Sequence, residues 1–186
     1  TTELAASLSR QQSRSRELSA AIQAQRGELA ELTEQRQRLE RVVAEAAQRA
    51  AARQPSQPIG ALKGKLPRPA PGRLLHTFGQ RRDDQLRWQG WLIDARRGDP
   101  IAVVHPGRVV YADYLRGYGL LIIVDHGDEM LSLYAHNSEL AANLGDQLNA
   151  GQVIGYAGDS GEAVGNALYF ELRRSGQPVD PAQWLR

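Results

Sequence analysis

Asn166-Ala167-Leu168-Tyr169-Phe170-Glu171, near the C-terminus of this 186-residue chain, has the composition of a buried β-strand. Aromatic and aliphatic residues dominate it, as they do in strands that pack on both faces. Residues two apart on a strand face the same side of their sheet, so Ala167 and Tyr169 share a face. The side chains on that face decide which chemistry the surrounding domain can perform.

Similar short apolar runs fill the chain from Arg73 onward, and turns rich in glycine and proline separate them. This punctuation predicts a mainly β domain over residues 73–186. The predicted strands are 101–104, 107–111, 120–124, 131–134, 152–156 and 167–172.

Residues 1–53 have a different pattern, in which apolar residues recur four and then three positions apart. Such heptads predict a long α-helix that forms a coiled coil. The helix would extend roughly 75 Å, so we expect its apolar seam to need a partner helix from another chain or from a segment outside this sequence. A solvated single helix is the alternative. The seam is Leu4, Leu8, Leu18, Ile22, Leu29, Leu32, Leu39, Val43, Ala46 and Ala50.

Residues 54–72 are predicted to be a linker, because Pro55 and Pro58 end the helix and further prolines follow. Residues 76–186 carry ten Lys or Arg against fourteen Asp or Glu, a balance that argues against nucleic-acid binding. The chain has no cysteine and no apolar run of membrane-spanning length. It opens on Thr1-Thr2 without a leader, so we expect a mature form or an excised piece.

Residues 73–185 resemble the LytM (lysostaphin-type) zinc peptidase domain. The specificity lies in the ordered set, since each motif alone occurs in many β proteins. The matching stretches are Phe78-Gly79-Gln80-Arg81, Gly107-Arg108-Val109-Val110-Tyr111-Ala112, Gly117-Tyr118-Gly119, Val124-Asp125-His126-Gly127, Leu133-Tyr134-Ala135-His136, Ala150-Gly151-Gln152-Val153-Ile154-Gly155 and Phe170-Glu171-Leu172-Arg173.

The resemblance implies a zinc ion held by a His, by an Asp four residues later, and by the second His of a His-x-His strand. Here Trp88, Leu92 and Tyr169 occupy those positions, and Ala167 replaces the first His of the pair. Indole and isobutyl groups cannot bind zinc. We therefore predict a domain without metal, cofactor or peptidase activity.

A zinc endopeptidase with unusual ligands remains an alternative. His136, which the family does not use as a ligand, is still present, and Asp94 shares a strand face with Leu92. His105 and His126 lie in predicted turns, where we expect them to be solvated.

A long coiled coil before such a degenerate domain is similar to the EnvC-type divisome activators. The stretches that carry this closer resemblance are Leu62-Lys63-Gly64-Lys65-Leu66-Pro67, Arg87-Trp88-Gln89-Gly90, Tyr169-Phe170-Glu171-Leu172-Arg173-Arg174 and Pro181-Ala182-Gln183-Trp184-Leu185. The resemblance implies a periplasmic protein that activates N-acetylmuramoyl-L-alanine amidases in septal peptidoglycan splitting. It also implies that the coiled coil docks on the FtsE–FtsX transporter-like complex, so that any membrane association runs through a partner.

Apolar and aromatic residues in place of metal ligands are typical of a groove that takes a partner helix. The predicted partner-binding residues are Gln89, Leu92, Tyr118, Leu121, His136, Tyr169 and Arg173. Residues 54–66, through Ile59 and Leu62, could lie across this groove and hold the activator off. A passive peptidoglycan-binding module on a stalk is the third functional class that the sequence leaves open.

Overall fold

A computed structural model of the chain describes residues 2–51, 59–83, 85–163 and 165–186. The chain divides into two compact units, Thr1–Gln37 and Arg38–Arg186. The α-helix α1 (Thr2–Ala51) contributes its larger part to the first unit and its end to the second. The boundary between the units therefore lies within the helix, upstream of the segment assigned as a linker.

The first unit leaves part of the predicted coiled-coil seam exposed. Leu18 is 63% exposed and Ile22 is 41% exposed. In a coiled coil, leucine and isoleucine at seam positions are covered by a partner helix. The existence of such a partner for this helix stays a prediction. No helix in the described part of the chain is both long enough and apolar enough to span a membrane.

The second unit is built on an antiparallel sheet, which confirms the predicted mainly β domain behind a long helix. Its described strands, in the order β1-β2-β9-β6-β5-β4-β7 across the main path, place β9 between β2 and β6. The strands β3 and β8 pair with each other, β8 also pairs with β6, and β10 pairs with β9. The strands are β1 (Leu74–His76), β2 (Trp91–Asp94), β3 (Pro100–Ala102), β4 (Gly107–Leu115), β5 (Gly119–Asp125), β6 (Met130–Leu140), β7 (Gln147–Leu148), β8 (Val153–Ala157), β9 (Ala167–Arg174) and β10 (Gln177–Val179).

Each predicted strand corresponds to an observed one, although β4 and β6 extend further than their apolar runs. The short strands β1, β2, β7 and β10 have no counterpart among the predicted strands, because runs of two to four residues carry little periodicity. The strand β2 matters most of these, since it lies next to β9 and carries Leu92.

The two faces of the sheet belong to two different clusters of buried side chains. One face, which includes Tyr134 and Phe170, belongs to a large core shared with Ile101, Ile154 and Trp184. The opposite face forms a second apolar cluster around Leu121, Ile123, Leu131, Leu133 and Tyr169. The antiparallel register sets Ile123 opposite Leu133 and Ala135 opposite Tyr169, which accounts for their common face.

The segment after the helix packs into the first core, not across the second cluster. Ile59 begins a 3-10 turn (Ile59–Leu62) and is fully buried there. Leu66 is also buried and forms a parallel bridge with Leu185. The expectation that Ile59 contacts the groove is therefore wrong, and residues 54–58 lie outside the described residues.

His105 and His126 are buried, contrary to the expectation for turn residues. Their rings stack 5.7 Å apart. The His126 Nε2 atom lies 2.6 Å from the Ser132 hydroxyl, which donates to the Tyr134 hydroxyl at 3.0 Å. Neither ring nitrogen of His105 has a hydrogen-bond partner among the described residues. Sequence alone missed this cluster because the two histidines that meet in it are distant from each other along the chain.

The stability of the fold should fall in weak acid because of these two histidines. Burial lowers the pKa of both, that of His126 to about 4. A histidine whose pKa is lower in the folded than in the unfolded protein contributes stability above its unfolded-state pKa of about 6.5. This contribution is lost as the pH falls through the folded-state pKa. We expect urea unfolding to show a loss of about 3 kcal/mol from His126 alone between about pH 6.5 and pH 4.

The variant His105→Phe provides the matched comparison, because phenylalanine has a similar shape and no polar atoms. We expect it to be at least as stable as the parent at pH 7 and to lose less stability in acid. A decline as steep as the parent's would contradict the role assigned to His105.

Candidate functional site

The positions that would hold zinc in the family meet on the second face of the sheet. Leu92 of β2 lies directly opposite Tyr169 of β9, and Asp94 lies opposite Ala167. Gly90, just before β2, lets the two strands approach, since a Cβ there would lie 2.3 Å from the Phe170 carbonyl oxygen. The register therefore places the substituted residues side by side.

Tyr169 is the centre of an aromatic cluster at this position. Its ring centroid lies 6.2 Å from that of Trp88, 5.6 Å from that of Tyr118 and 6.3 Å from that of His136. Trp88 stacks in turn on His76 at 4.6 Å. Distances of this order are usual for aromatic pairs that stabilise a core or an interface. Aromatic packing thus occupies the place of a metal and its water.

Alternate residues of β9 continue this face as a ladder of polar contacts. The Tyr169 hydroxyl donates to Glu171 Oε2 at 2.5 Å, and Arg173 Nε donates to Glu171 Oε1 at 2.5 Å. Glu171 is fully buried, and burial raises its pKa while Arg173 acts in the opposite direction. Burial and the neighbouring Glu171 carboxylate also raise the pKa of the Tyr169 hydroxyl. Both oxygens of Glu171 are therefore engaged within the strand.

The end of α1 covers this face within the same compact unit. We call residues 38–51 the covering segment. Its apolar side chains Leu39, Val43 and Ala46 are buried in the second cluster. Their spacing of four and then three residues places them on one side of the helix. Near the end of the segment, Arg49 Nη1 donates to the Val110 carbonyl oxygen of β4 at 3.2 Å.

Glu40 of the covering segment forms a bidentate ion pair with Arg173. The Arg173 Nη1 atom lies 2.6 Å from Glu40 Oε2, and Nη2 lies 2.9 Å from Oε1. The Arg173 side chain has 0% exposure, whereas that of Glu40 has 44%. Burial lowers the pKa of Arg173, but Glu171 and Glu40 outweigh burial and raise it, so the guanidinium is charged. One buried cation thus joins the sheet to the helix.

The structure brings most of the predicted partner-binding residues together. Leu121, Tyr169, Leu92 and Tyr118 share the second cluster, and Arg173 extends the Tyr169 ladder. His136 borders it through its ring contact with Tyr169, with its Nδ1 atom 2.9 Å from the Ser160 carbonyl oxygen. Gln89 is half-buried just before Gly90.

Sequence reasoning missed the residues of the covering segment. Leu39, Val43 and Ala46 were assigned to a coiled-coil seam, with the expectation that the seam could not be buried on the domain. The seam at this end is instead buried on the sheet. One signal for an acidic residue near β9 was present, because an arginine buried on that strand requires acidic partners. The sequence cannot say that Glu40 is one of them.

The side chains at the former ligand positions do not fit a zinc ion. Trp88 and Leu92 offer no suitable donor atom, and the Tyr169 hydroxyl is engaged by Glu171. Asp94 is paired with Arg73, whose Nε lies 3.1 Å from Asp94 Oδ2, while His136 contacts Ser160. Among the described side chains, no three His, Cys, Asp or Glu residues form a group that could hold a metal. No metal-dependent step can be derived for this site.

Comparison with known proteins identifies the fold. The protein is 44% identical over 128 residues to an uncharacterized protein of Haemophilus influenzae, a match that covers 69% of this chain and 31% of that protein. It is 42% identical over 127 residues to the murein hydrolase activator EnvC of Escherichia coli, covering 68% of this chain and 30% of the relative. The chain thus spans less than a third of the length of these relatives.

A crystal structure described as a peptidase M23 from Pseudomonas aeruginosa superposes with a TM-score of 0.65 at 27% identity. The superposition covers 80% of this chain and 60% of the other. The model of peptidase family M23 matches residues 86–181, which include β2, the aromatic cluster and the β9 ladder. By this match over more than half of its length, the chain belongs to peptidase family M23.

Proposed function

We propose that this chain is a non-enzymatic activator of a periplasmic N-acetylmuramoyl-L-alanine amidase in septal peptidoglycan splitting. The observation that carries the proposal is the substitution of Trp88, Leu92 and Tyr169 for zinc ligands, together with the cover of a helix over that same face. An apolar face under an amphipathic helix is the arrangement of a helix-in-groove interface. The similarity to a murein hydrolase activator supports a peptidoglycan hydrolase as the partner.

The covering segment would hold the activator off. As long as Leu39 and Val43 fill the second cluster, no partner helix can contact Leu121 or Tyr169. Activation therefore requires the covering segment to leave the sheet. We propose that the upstream helix supplies the force by docking on the FtsE–FtsX complex, through seam residues such as Leu18 and Ile22 that are exposed in this chain.

Opening the groove should increase activation. In the double variant Leu39→Asp/Val43→Asp, two carboxylates would have to be buried in an apolar layer, which costs several kcal/mol and displaces the covering segment. We expect this variant to accelerate dye release from labelled sacculi by a purified amidase at least about tenfold more than the parent chain does.

The matched control is Ala44→Asp/Gln48→Asp, which adds the same charge at exposed positions of the same helix. It should behave like the parent. If the opened variant does not accelerate the amidase, the proposed function is wrong. If the control variant activates equally, charge on the helix is responsible, and displacement from the groove is not.

Within the opened variant, Tyr169→Ala should abolish most of the activation. The change removes the centre of the aromatic cluster, and aromatic anchors of this kind dominate interface energies. We expect the concentration of activator required for half-maximal dye release to rise about tenfold or more. Tyr114→Ala, which removes an exposed tyrosine of β4, should have no effect. Equal activation by both variants would place the partner-binding surface elsewhere.

Elemental analysis separates this function from that of a zinc endopeptidase. We expect the purified parent chain to contain no stoichiometric zinc and to leave sacculi uncleaved. The triple variant Trp88→His/Leu92→Asp/Tyr169→His, which restores the ligand types of the family, should bind zinc under the same conditions. Stoichiometric zinc in the parent, with hydrolysis lost in chelator, would overturn the proposal.

A further inference from the structure

The outer edge of the Arg173 guanidinium is bound by the covering segment. Its Nε atom is used by Glu171, and the two Nη atoms face Glu40. The other described acceptor on this edge is the Gly176 carbonyl oxygen, 3.2 Å from Nη1. Glu171 binds the guanidinium through Nε, so the two Nη atoms lose their carboxylate when the covering segment leaves.

Departure of the covering segment therefore removes a bidentate carboxylate from a cation that is otherwise buried. A planar guanidinium binds a carboxylate through two parallel hydrogen bonds, and a partner that covers it without an acceptor leaves donors unpaired. Such unpaired buried donors are strongly unfavourable. An occupant of the groove that carries a carboxylate at the Glu40 position avoids that penalty, whereas a purely apolar helix does not.

The apolar contacts fix the rest of the occupant's pattern. Leu39 lies directly before Glu40, Val43 lies three residues after it, and the small Ala46 lies six residues after it, all buried in the second cluster. A helix that offers a large apolar residue, an acidic residue, a second large apolar residue and a small residue at these spacings would make the same contacts.

We propose that the covering segment imitates the partner, and that the activated amidase presents an amphipathic helix whose carboxylate replaces Glu40 on Arg173. This inference rests on the proposed function and adds the chemistry of the contact. Because one carboxylate is exchanged for another, release of the covering segment and capture of the partner nearly balance in free energy. Arg173 thereby favours an amphipathic helix that carries a carboxylate over a purely apolar helix.

Peptide binding to the full-length opened variant tests the selectivity of the groove. The probe is a synthetic peptide with the sequence of residues 36–49. We expect it to bind, and we expect the same peptide with Glu40→Gln to bind roughly 10- to 100-fold more weakly. The peptide with Glu45→Gln is the matched control and should bind like the parent peptide, since Glu45 is exposed. Equal binding by all three peptides would overturn the inference.

Neutral replacement of Glu171 and Arg173 tests whether the amidase itself supplies a carboxylate. In the opened background, Glu171→Gln/Arg173→Met removes both charges and keeps their approximate volume. We expect amidase binding to fall at least about tenfold, with the loss of the charge-assisted contact. Equal or tighter binding would mean that the partner brings an apolar helix, which overturns the inference and leaves the proposed function standing. An opened chain that binds the parent peptide but neither binds nor accelerates the amidase overturns the proposed function and the inference together.

Discussion

The ion pair between the buried Arg173 and the half-buried Glu40 connects the sheet of the second unit to the covering segment. Around it, the Tyr169 hydroxyl, the Glu171 carboxylate and the Arg173 guanidinium form an unbroken chain of hydrogen bonds along one face of β9. A buried cation of this kind needs acceptors on every side, because desolvation is costly and water cannot reach it. The sheet supplies the acceptors on one side, and the helix supplies them on the other. The covering segment is therefore held by this contact in addition to its apolar packing.

The same face shows how a peptidase fold keeps its strand register with other side chains at the ligand positions. The strands β2 and β9 keep the register that would bring metal ligands together, so the replaced residues Leu92 and Tyr169 still meet. Aromatic rings pack against one another at these positions and stabilise the face. A surface of this composition is well suited to contact with an apolar helix. The chain's own helix makes that contact here.

Two opposing requirements therefore act on one surface. Burial of Leu39, Val43 and Ala46 stabilises the covered form, and a partner must offer comparable contacts to displace them. The bidentate pair adds a charge requirement to a shape requirement, which narrows the range of helices that can compete. The first core, which holds Ile59 and Phe170, lies on the opposite face of the sheet and is not part of this competition.

Local pattern predicted the long helix and the mainly β domain, because periodicity is encoded in neighbouring positions. The replacement of the zinc ligands was an expectation from the resemblance to a known domain. The same resemblance led us to expect Leu92, Tyr118, Leu121, Tyr169 and Arg173 around one groove. The sequence could not predict the short strands β1 and β10, or that His105 and His126 are buried. Above all, it could not decide what covers the groove. The heptad of Leu39, Val43 and Ala46 is compatible with any apolar partner, and only the tertiary structure, through Glu40 and the buried Arg173, shows that the sheet of the same chain is that partner.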